Sequence, residues 1–282
     1  MTVHGYIGLG MMGSAMCERL ASSGATVLAY DLNPAAVDAA VEHGATATGS
    51  TEEVAEQADI ISTCVPAAVH VDAVIDDLAA VGRAGQTLVI HSTVHPDTIR
   101  AAQTRVAAWE GLVFDAAVAG GDEAARRGEL AIFAGGLTDA PPIVTELLKI
   151  YGSKVIDAGP VGSGAALKIA VNVMTYAQFT AAAIAHDGVA SSGGDPSALL
   201  EAWRHTGMLG ALTENWAGLL GIGPEHVTGE FRTMLETQVG IATKDLELAM
   251  TLGDPAAGAV AVVDAIRALM PAVYRTITME EA

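Results

Sequence analysis

The first half of the chain alternates short runs of β-branched and other apolar residues with alanine-rich segments of helical period. This alternation predicts a doubly wound α/β domain built on a parallel sheet. The predicted strands are Val3–Ile7, Thr26–Tyr30, Ile60–Cys64, Thr87–Ile90, Leu112–Asp115, Ala131–Ala134 and Lys154–Asp157.

The pattern changes after Gly164, where the strand-like runs stop. A long apolar stretch predicts one helix over residues 164–190, which ends at the breaker Ser191–Pro196. Further helices follow, separated near Gly221–Pro224 and Gly253–Pro255. We therefore expect two domains, residues 1–160 and 161–282, that are joined by the long helix.

Composition narrows the possible classes of protein. The chain has 282 residues, of which 51% are hydrophobic and 17% charged, as in a well-packed globular protein. A net charge of -19 argues against nucleic acid and anionic membrane as partners. Cys17 and Cys64 offer no disulfide framework, and no metal-ligand spacing such as H-E-x-x-H occurs. With no signal peptide or membrane span recognisable, we expect a cytoplasmic protein without a metal.

A glycine-rich loop follows the first predicted strand directly and opens a helix. It consists of Gly8, Leu9, Gly10, Met11, Met12 and Gly13. In such a loop the first glycine gives a tight turn, the second lets the backbone approach a pyrophosphate, and the third permits close packing of helix on strand. Asp31, at the end of the second strand, stands where a dinucleotide site requires an acid. This spacing predicts a bound dinucleotide; the alternative is an ordinary βα turn, with Asp31 capping the next helix.

Asp31 also favours NAD over NADP. A carboxylate accepts hydrogen bonds from the ribose hydroxyls of NAD and repels the 2′-phosphate of NADP. The next residue, Leu32, supplies no cation, and no lysine or arginine occurs between Arg19 and Arg83. NAD is therefore the expected cofactor, and NADP the less favoured alternative.

One lysine and one asparagine lie four residues apart in the otherwise apolar long helix. Lys168 and Asn172 therefore share a helical face. We interpret the preceding Gly162 and Gly164 as a side-chain-free opening through which a small ligand reaches the lysine. A partly desolvated ammonium can exchange a proton with a hydroxyl, and an amide can position the same oxygen without competing for protons. The alternative is a lysine that extends out of a core helix into solvent.

Four motifs, in this order, resemble the β-hydroxyacid dehydrogenase family, which includes 3-hydroxyisobutyrate dehydrogenase and tartronate semialdehyde reductase. They are the loop Gly8–Gly13 and the segments Asp115–Gly121, Gly159–Asn172 and Lys244–Ala249. The resemblance implies a dinucleotide-binding, Rossmann-like domain over residues 1–160 and an all-helical substrate and oligomerisation domain over residues 161–282. It also implies hydride transfer between NAD and a small β-hydroxyacid or its semialdehyde, by a homodimer or homotetramer.

The same resemblance implies roles for individual residues. Lys168 would be the catalytic acid or base, and Asn172 would orient the substrate beside it. The substrate carboxylate would bind at Ala119, Gly120 and Gly121. Besides the glycine-rich loop and Asp31, the cofactor would contact Val65, Pro66, Thr93 and Lys244.

The chain departs from the family pattern in the substrate segment. Ala117 stands where the family usually has proline, and Ala119 where it usually has serine. A hydroxyl that commonly helps to hold the substrate carboxylate is therefore missing, and the identity of the hydroxyacid stays open. Two other functions are considered: an imine reductase, which Lys168 disfavours because such enzymes generally replace this lysine, and a non-catalytic dinucleotide-binding regulator, which the pair of Lys168 and Asn172 disfavours.

Overall fold

A computed structural model describes residues 2–282, which form eight strands and twelve helices. The strands are β1 (Val3–Ile7), β2 (Thr26–Tyr30), β3 (Thr46–Ala47), β4 (Ile60–Thr63), β5 (Thr87–Ile90), β6 (Leu112–Ala119), β7 (Leu130–Gly135) and β8 (Gly152–Gly159). All seven predicted strands are present. The strand that was not predicted, β3, has two residues, which is too short to give an alternating pattern.

The strands form one sheet in the order β3-β2-β1-β4-β5-β6-β7-β8. Neighbouring strands are parallel except for β6 and β7, which are antiparallel. The strand order reverses between β1 and β4, and ligands of doubly wound sheets bind beyond the carboxyl ends of the strands at such a reversal. The carboxyl ends of β1, β2, β4, β5 and β6 lie at one edge of this sheet.

Helices α1 to α7 alternate with these strands. They are α1 (Met11–Ser22), α2 (Pro34–Glu42), α3 (Thr51–Gln57), α4 (Ala68–Val81), α5 (Pro96–Val106), α6 (Gly121–Arg127) and α7 (Pro142–Tyr151). Local sequence explains where several begin: the Asn33 side chain accepts from the backbone N–H of Ala35 at the start of α2, and Ser50 accepts from that of Glu53 at the start of α3. These caps satisfy backbone donors that have no partner within the helix.

Two apolar clusters cover the two faces of the sheet. Tyr6, Ile60 and Val89 belong to one cluster, whereas the next residue in each of these strands belongs to the other. Successive side chains of a strand point to opposite faces, so both faces of the sheet are buried. This confirms the predicted doubly wound α/β architecture.

A buried polar chain crosses the first of these clusters. The Nδ1–H of His91 donates to the carbonyl oxygen of Ala116 at 2.8 Å, because a carbonyl can only accept. His91 Nε2 then accepts from the Ser62 hydroxyl at 3.2 Å, and the hydroxyls of Ser62 and Tyr151 are 3.3 Å apart. This assignment is that of the neutral imidazole, the form that burial favours. Burial lowers the pKa of His91 to about 4, against the opposing effect of the Ala116 carbonyl.

We expect His91 to make folding stability depend on pH. Between its ordinary pKa of about 6.5 and the folded value of about 4, the unfolded chain binds a proton that the folded chain does not. The free energy of unfolding therefore falls as the pH drops through this window, by about 1.4 kcal/mol between about pH 7.5 and about pH 5.5. Urea unfolding of the wild type and of His91→Gln at both pH values measures the effect as the difference between their pH dependences; equal dependences would contradict it.

Helices α8 to α12 complete the chain. They are α8 (Ser163–Ser191), α9 (Pro196–Thr206), α10 (Ala211–Ala217), α11 (Gly229–Met250) and α12 (Ala257–Val273). The long predicted helix and the breaks after it are confirmed, and the described residues after β8 form helices and no strand. None of the helices in residues 2–282 combines the length and apolar character needed to span a membrane.

The chain divides into two compact units within α8, the first ending at Lys168 and the second beginning at Ile169. The second unit has its own aromatic core, in which the rings of Phe179 and Trp216 stack at 4.5 Å. Arg275 is buried there and makes two hydrogen bonds of 3.0 Å to the Asp187 carboxylate. This ion pair ties the end of α8 to the segment that follows α12.

Candidate active site

The glycine-rich loop has the geometry that its spacing predicts. Gly8 has φ +90°, and a Cβ there would lie 2.5 Å from the carbonyl oxygen of Cys64. A Cβ at Gly13 would overlap the carbonyl oxygen of Gly8, so the start of α1 can approach β1 only without a side chain. A Cβ at Gly10 would meet no atom within 4 Å, which leaves the backbone open to a ligand. The three glycines thus serve a tight turn, open access and close packing.

Asp31 follows β2 directly and is bonded to this loop. Its Oδ2 accepts from the backbone N–H of Leu9 at 2.6 Å, and its Oδ1 accepts from that of Asn33 at 2.7 Å. The neighbouring Leu32 is 86% exposed. Arg19, the cation that precedes Asp31 in the sequence, donates instead to the carbonyl oxygen of Ile150 at 3.1 Å. The end of β2 therefore presents a carboxylate held in place, to which neither Leu32 nor Arg19 adds a paired cation.

The other predicted cofactor residues of the first unit lie at the same edge of the sheet. Val65 and Pro66 follow β4, and the Val65 backbone N–H donates to the Ser92 hydroxyl at 2.8 Å. Thr93 follows β5 and is half-buried. Met11 is exposed at the start of α1, whereas Met12 is half-buried.

The predicted substrate segment extends beyond this edge. β6 pairs with β5 through Asp115 and continues to Ala119 beside β7, so its last four residues project past the end of β5. Ala119 is half-buried, and Gly120 and Gly121 are exposed. Their φ angles of +137° and +81° lie in the region that favours glycine. Ala117 is buried in the sheet, where its contribution is to packing.

Asp115 anchors the start of α8 to the sheet. This carboxylate is only 1% exposed and accepts from the backbone N–H groups of Gly162 at 2.6 Å and Ala165 at 2.7 Å. Burial raises its pKa above the ordinary value, although the surrounding backbone N–H groups oppose this shift. The first turn of α8 is thereby held where β5 ends, and Lys168 follows one turn later.

The prediction that Gly162 and Gly164 form an opening for a ligand is wrong. Both residues are buried. A Cβ at Gly164 would overlap the carbonyl oxygen of Phe133 and lie 2.8 Å from Asp115 Oδ2, and a Cβ at Gly162 would lie 3.2 Å from the carbonyl oxygen of Pro96. Glycine is needed at both positions because the start of the helix packs directly on the sheet and on α5.

Lys168 and Asn172 lie one turn apart on α8 and therefore share a helical face. Lys168 is half-buried, whereas the Asn172 side chain is buried. This contrast fits a face that changes from accessible to enclosed along the helix.

In the second unit, Asn172 belongs to a buried polar cluster with α11. Its Nδ2 donates to Oδ2 of Asp245 at 2.6 Å, and Lys244 Nζ donates to Oδ1 of the same carboxylate at 2.7 Å. The Tyr176 hydroxyl lies 3.5 Å from Asp245 Oδ2. Burial raises the pKa of this tyrosine, and the nearby Asp245 carboxylate adds to the shift. The structure thus brings together two residues predicted to act in the site, Asn172 and Lys244, through a third.

Two carboxylates of this region, Asp115 and Asp245, were not predicted to have a role. Each stood within a recognised motif, but Gly162, which donates to Asp115, and Asn172, which donates to Asp245, lie 47 and 73 residues away in the sequence. For Asp115 the available signal was an acidic residue placed among apolar neighbours that predict burial. A buried carboxylate requires hydrogen-bond donors, and this requirement could have marked Asp115. Asp245 stands between Lys244 and Leu246, with Glu247 next, and its sequence gives no such signal. Among the described residues, no group of three or more His, Cys, Asp or Glu side chains is arranged to hold a metal ion.

Comparison with known proteins adds to this geometry. A family model described as the NAD binding domain of 6-phosphogluconate dehydrogenase matches residues 4–159. A protein of Mycobacterium tuberculosis named as an uncharacterised oxidoreductase is 35% identical over 258 residues, which cover 89% of this chain and 85% of that protein. The 3-hydroxyisobutyrate dehydrogenase of Pseudomonas aeruginosa is 32% identical with the same coverage. The solved structure of Mycobacterium tuberculosis 3-hydroxyisobutyrate dehydrogenase with L-serine superposes with a TM-score of 0.75 at 25% identity, covering 99% of both chains.

Proposed function

The chain belongs to the β-hydroxyacid dehydrogenase family, and we propose that it transfers a hydride between NAD and a small β-hydroxyacid, with Lys168 as the general acid or base. As a member of this family it is an oxidoreductase of the 3-hydroxyacid dehydrogenase type with an NAD(P)-binding domain. The observation that carries the proposal is the anchoring of α8 by Asp115. Through this contact, the helix that bears Lys168 and Asn172 begins at the sheet edge where the glycine-rich loop and Asp31 lie.

The residues present fit a dinucleotide. Gly10 leaves the backbone open where a pyrophosphate would approach the start of α1. The Asp31 carboxylate, held beside the loop, can accept hydrogen bonds from the ribose hydroxyls. The same ligand would be lined by Leu9, Met11, Met12, Val65, Pro66 and Thr93. Lys244 is the remaining cofactor residue that we propose. When bound, the cofactor supplies the hydride acceptor.

The chain's own residues supply the remaining chemistry. A hydroxyl does not easily lose its proton unaided at neutral pH, so oxidation of the alcohol requires a base. As the neutral amine, Lys168 takes this proton from the substrate oxygen during oxidation, and as the resulting ammonium it returns the proton during reduction. Asn172 positions the substrate through its amide. The backbone N–H groups of Gly120 and Gly121, two exposed residues, bind the substrate carboxylate beside Ala119.

The direct test is to follow NADH absorbance with a panel of substrates. The panel contains 3-hydroxyisobutyrate, 3-hydroxypropionate, glycerate, L-serine and 2-(hydroxymethyl)glutarate with NAD, and cyclic imines with NADH. We expect oxidation of at least one β-hydroxyacid and no reduction of imines. Turnover of imines alone would support the imine reductase alternative, and cofactor binding without any turnover would support a regulator.

We expect the cofactor preference to depend on Asp31 and Leu32. Replacing Asp31 by serine removes repulsion of the 2′-phosphate, and replacing Leu32 by arginine adds a bidentate partner for it. The double variant should raise the ratio of kcat/KM for NADP to that for NAD by roughly 10- to 100-fold. The ratio is the proper readout, because loss of the Asp31 bond to Leu9 affects both cofactors.

Leu32→Arg alone is the matched control, since it adds the cation and keeps the carboxylate. It should give a smaller change in the ratio than the double variant. A wild-type enzyme that already prefers NADP would show that Asp31 does not select the cofactor.

Ala119→Ser tests how the pocket holds its substrate. If the pocket lacks the family's serine hydroxyl and nothing replaces it, Ala119→Ser should lower KM for a simple β-hydroxycarboxylate. The binding free energy would then improve by up to one hydrogen bond to a charged group, about 1.5–3 kcal/mol. If the native substrate instead places apolar bulk against Ala119, the new oxygen would be buried without a partner, and activity on that substrate should fall. We favour the second outcome; an equal gain across the whole panel would contradict it.

A further inference from the structure

One face of α8 in the second unit is apolar and uncovered. Its six positions follow one another at intervals of four, three, four, three and four residues, the heptad spacing of helices that pack side by side. They are Ala170, Met174, Ala177, Ala181, Ile184 and Gly188. Ala177 is half-buried and the other five are exposed, Met174 by 60% and Ile184 by 53%. These six positions are the α8 seam.

Two apolar grooves of the same unit flank the α8 seam. The first, of about 240 Å³, begins at Ala170 and Val173 and is completed by residues of α11 and α12. The second, of about 310 Å³, begins at Ala181 and Ala185 and extends past α9 to Met208, which is 64% exposed. Among residues 2–282, no charged side chain lines either groove. Sites for small molecules measure about 300 to 1,000 Å³ and include polar groups that orient the ligand, so inserted apolar side chains fit these grooves better.

The order of side-chain sizes along the α8 seam reads the same in both directions. From the first position to the last it is small, large, small, small, large, small, and the midpoint lies between Ala177 and Ala181. A second α8 that runs antiparallel about this midpoint sets Met174 against Ile184 of the other copy, and Ala177 against Ala181 of the other copy. The small pairs let the two helices approach closely, and the large pairs fill the space on either side. The seam is therefore complementary to itself.

The two grooves match the large side chains in the same arrangement. With 3.6 residues per turn, Met174 lies about 40° to one side of the midline of the seam and Ile184 about 40° to the other. Ala185 of the second groove is on the Met174 side, and Val173 of the first groove is on the Ile184 side. A two-fold axis sets each side of the seam against the same side of the other copy. Met174 therefore enters the second groove of the other copy, and Ile184 enters its first groove.

Charge and area agree with a second copy as the occupant. The chain carries a net charge of -19, so two copies repel each other over most of their surface. The stretch from Ile169 to His186 contains no Asp, Glu, Lys or Arg, and here two copies can meet without opposed charges. The seam is about 27 Å long and one helix wide, and so covers roughly 300 Å². Stable contacts bury about 800 Å² on each partner, so the flanking grooves must be covered as well.

We propose that the α8 seam is the centre of a two-fold, antiparallel contact between two copies of this chain. In this contact, Met174 and Ile184 of each copy fill the two grooves of the other. The contact buries the exposed apolar side chains of α8 on both copies, and this burial is its driving force.

The first test is Ala181→Glu, which places a carboxylate beside the midpoint of the seam. The helix should be retained, because Ala181 is exposed and glutamate is a good helix former. Each contact would then bury two unpaired charges, so the dissociation constant of the contact should rise at least roughly 100-fold. Light scattering coupled to size exclusion should give two or more copies for the wild type and half that mass for the variant. Ala190→Glu is the matched control, because it adds the same charge at an exposed position of α8 outside the seam.

The second test uses cysteines to determine the direction of the two helices. In the double variant Met174→Cys, Ile184→Cys, each cysteine opposes the other one across the contact. Within one helix, and between two copies of the same position, the separation along the axis is about 15 Å. A disulfide requires Cα atoms within about 7 Å. Oxidation should therefore link the double variant into covalent dimers and leave both single variants unlinked, with the wild type as the control for Cys17 and Cys64.

Three results would overturn the proposal: a monomeric wild type, an unchanged mass for a folded Ala181→Glu, or single-cysteine variants that crosslink as readily as the double variant. The last result would indicate parallel helices or unspecific association. Circular dichroism reports whether Ala181→Glu is folded, and the crosslinking test does not depend on that variant. Neither test uses a substrate, so the outcome is independent of the proposed hydride transfer.

Discussion

Replacement of Lys168 by alanine should reduce turnover by roughly two to four powers of ten, the usual contribution of a general acid or base. The fold and the affinity for NAD should be retained, because Lys168 is half-buried on α8 and alanine is the best helix former. Proton exchange with the substrate oxygen would then fall to water, which is a weak base at neutral pH. The measurement is kcat for the best hydroxyacid of the panel, with NAD binding followed separately by fluorescence.

Lys149→Ala is the control for Lys168→Ala. Lys149 is an exposed lysine near the end of α7, and its loss removes the same charge without touching α8. Its turnover should match that of the wild type. Near-normal turnover in Lys168→Ala would exclude this lysine as the acid or base, even if the protein proves to be a hydroxyacid dehydrogenase.

The strands and the long helix were predictable because their signals are local. Runs such as Thr87–Ile90 are bounded by turn residues, and the breaker Ser191–Pro196 stops α8 at Ser191. The glycine-rich loop was equally predictable. A side chain at Gly8 would meet Cys64, a side chain at Gly13 would meet Gly8, and Gly10 borders open space. The strand β3 was not predicted because two residues are too few to show an alternation of apolar and polar positions.

The roles of Gly162, Gly164 and Asp245 were not predictable from local pattern. A glycine is compatible both with access for a ligand and with close packing, and only the position of Phe133 and Asp115 against α8 decides for packing. Asp245 gains its meaning from Asn172, which is 73 residues away. The pairing of α8 with α11 is a tertiary event that no spacing along the chain encodes.

Asp115→Ala should lower the free energy of unfolding by about 3–5 kcal/mol. The physical reason is the set of backbone donors that this carboxylate satisfies. Gly162 and Ala165 donate to it at the start of α8 at 2.6 and 2.7 Å, and both residues are buried. Without the carboxylate these N–H groups lose their partner in a place that water cannot easily reach, and the negative charge at the helix N-terminus is lost as well. Urea unfolding monitored by circular dichroism measures the difference.

Two further variants make the result specific to the buried contact. Asp139→Ala removes an exposed carboxylate from the same unit and should change stability by no more than about 0.5 kcal/mol. Asp115→Asn keeps one acceptor oxygen but turns an amide N–H group towards backbone donors. Its loss of stability should therefore lie between that of Asp139→Ala and that of Asp115→Ala. Because the same contact holds the helix that carries Lys168, Asp115→Asn should also lower kcat at temperatures where it remains folded. If Asp115→Ala is as stable as Asp139→Ala, the start of α8 is held by packing of Gly164 on the sheet and not by this carboxylate.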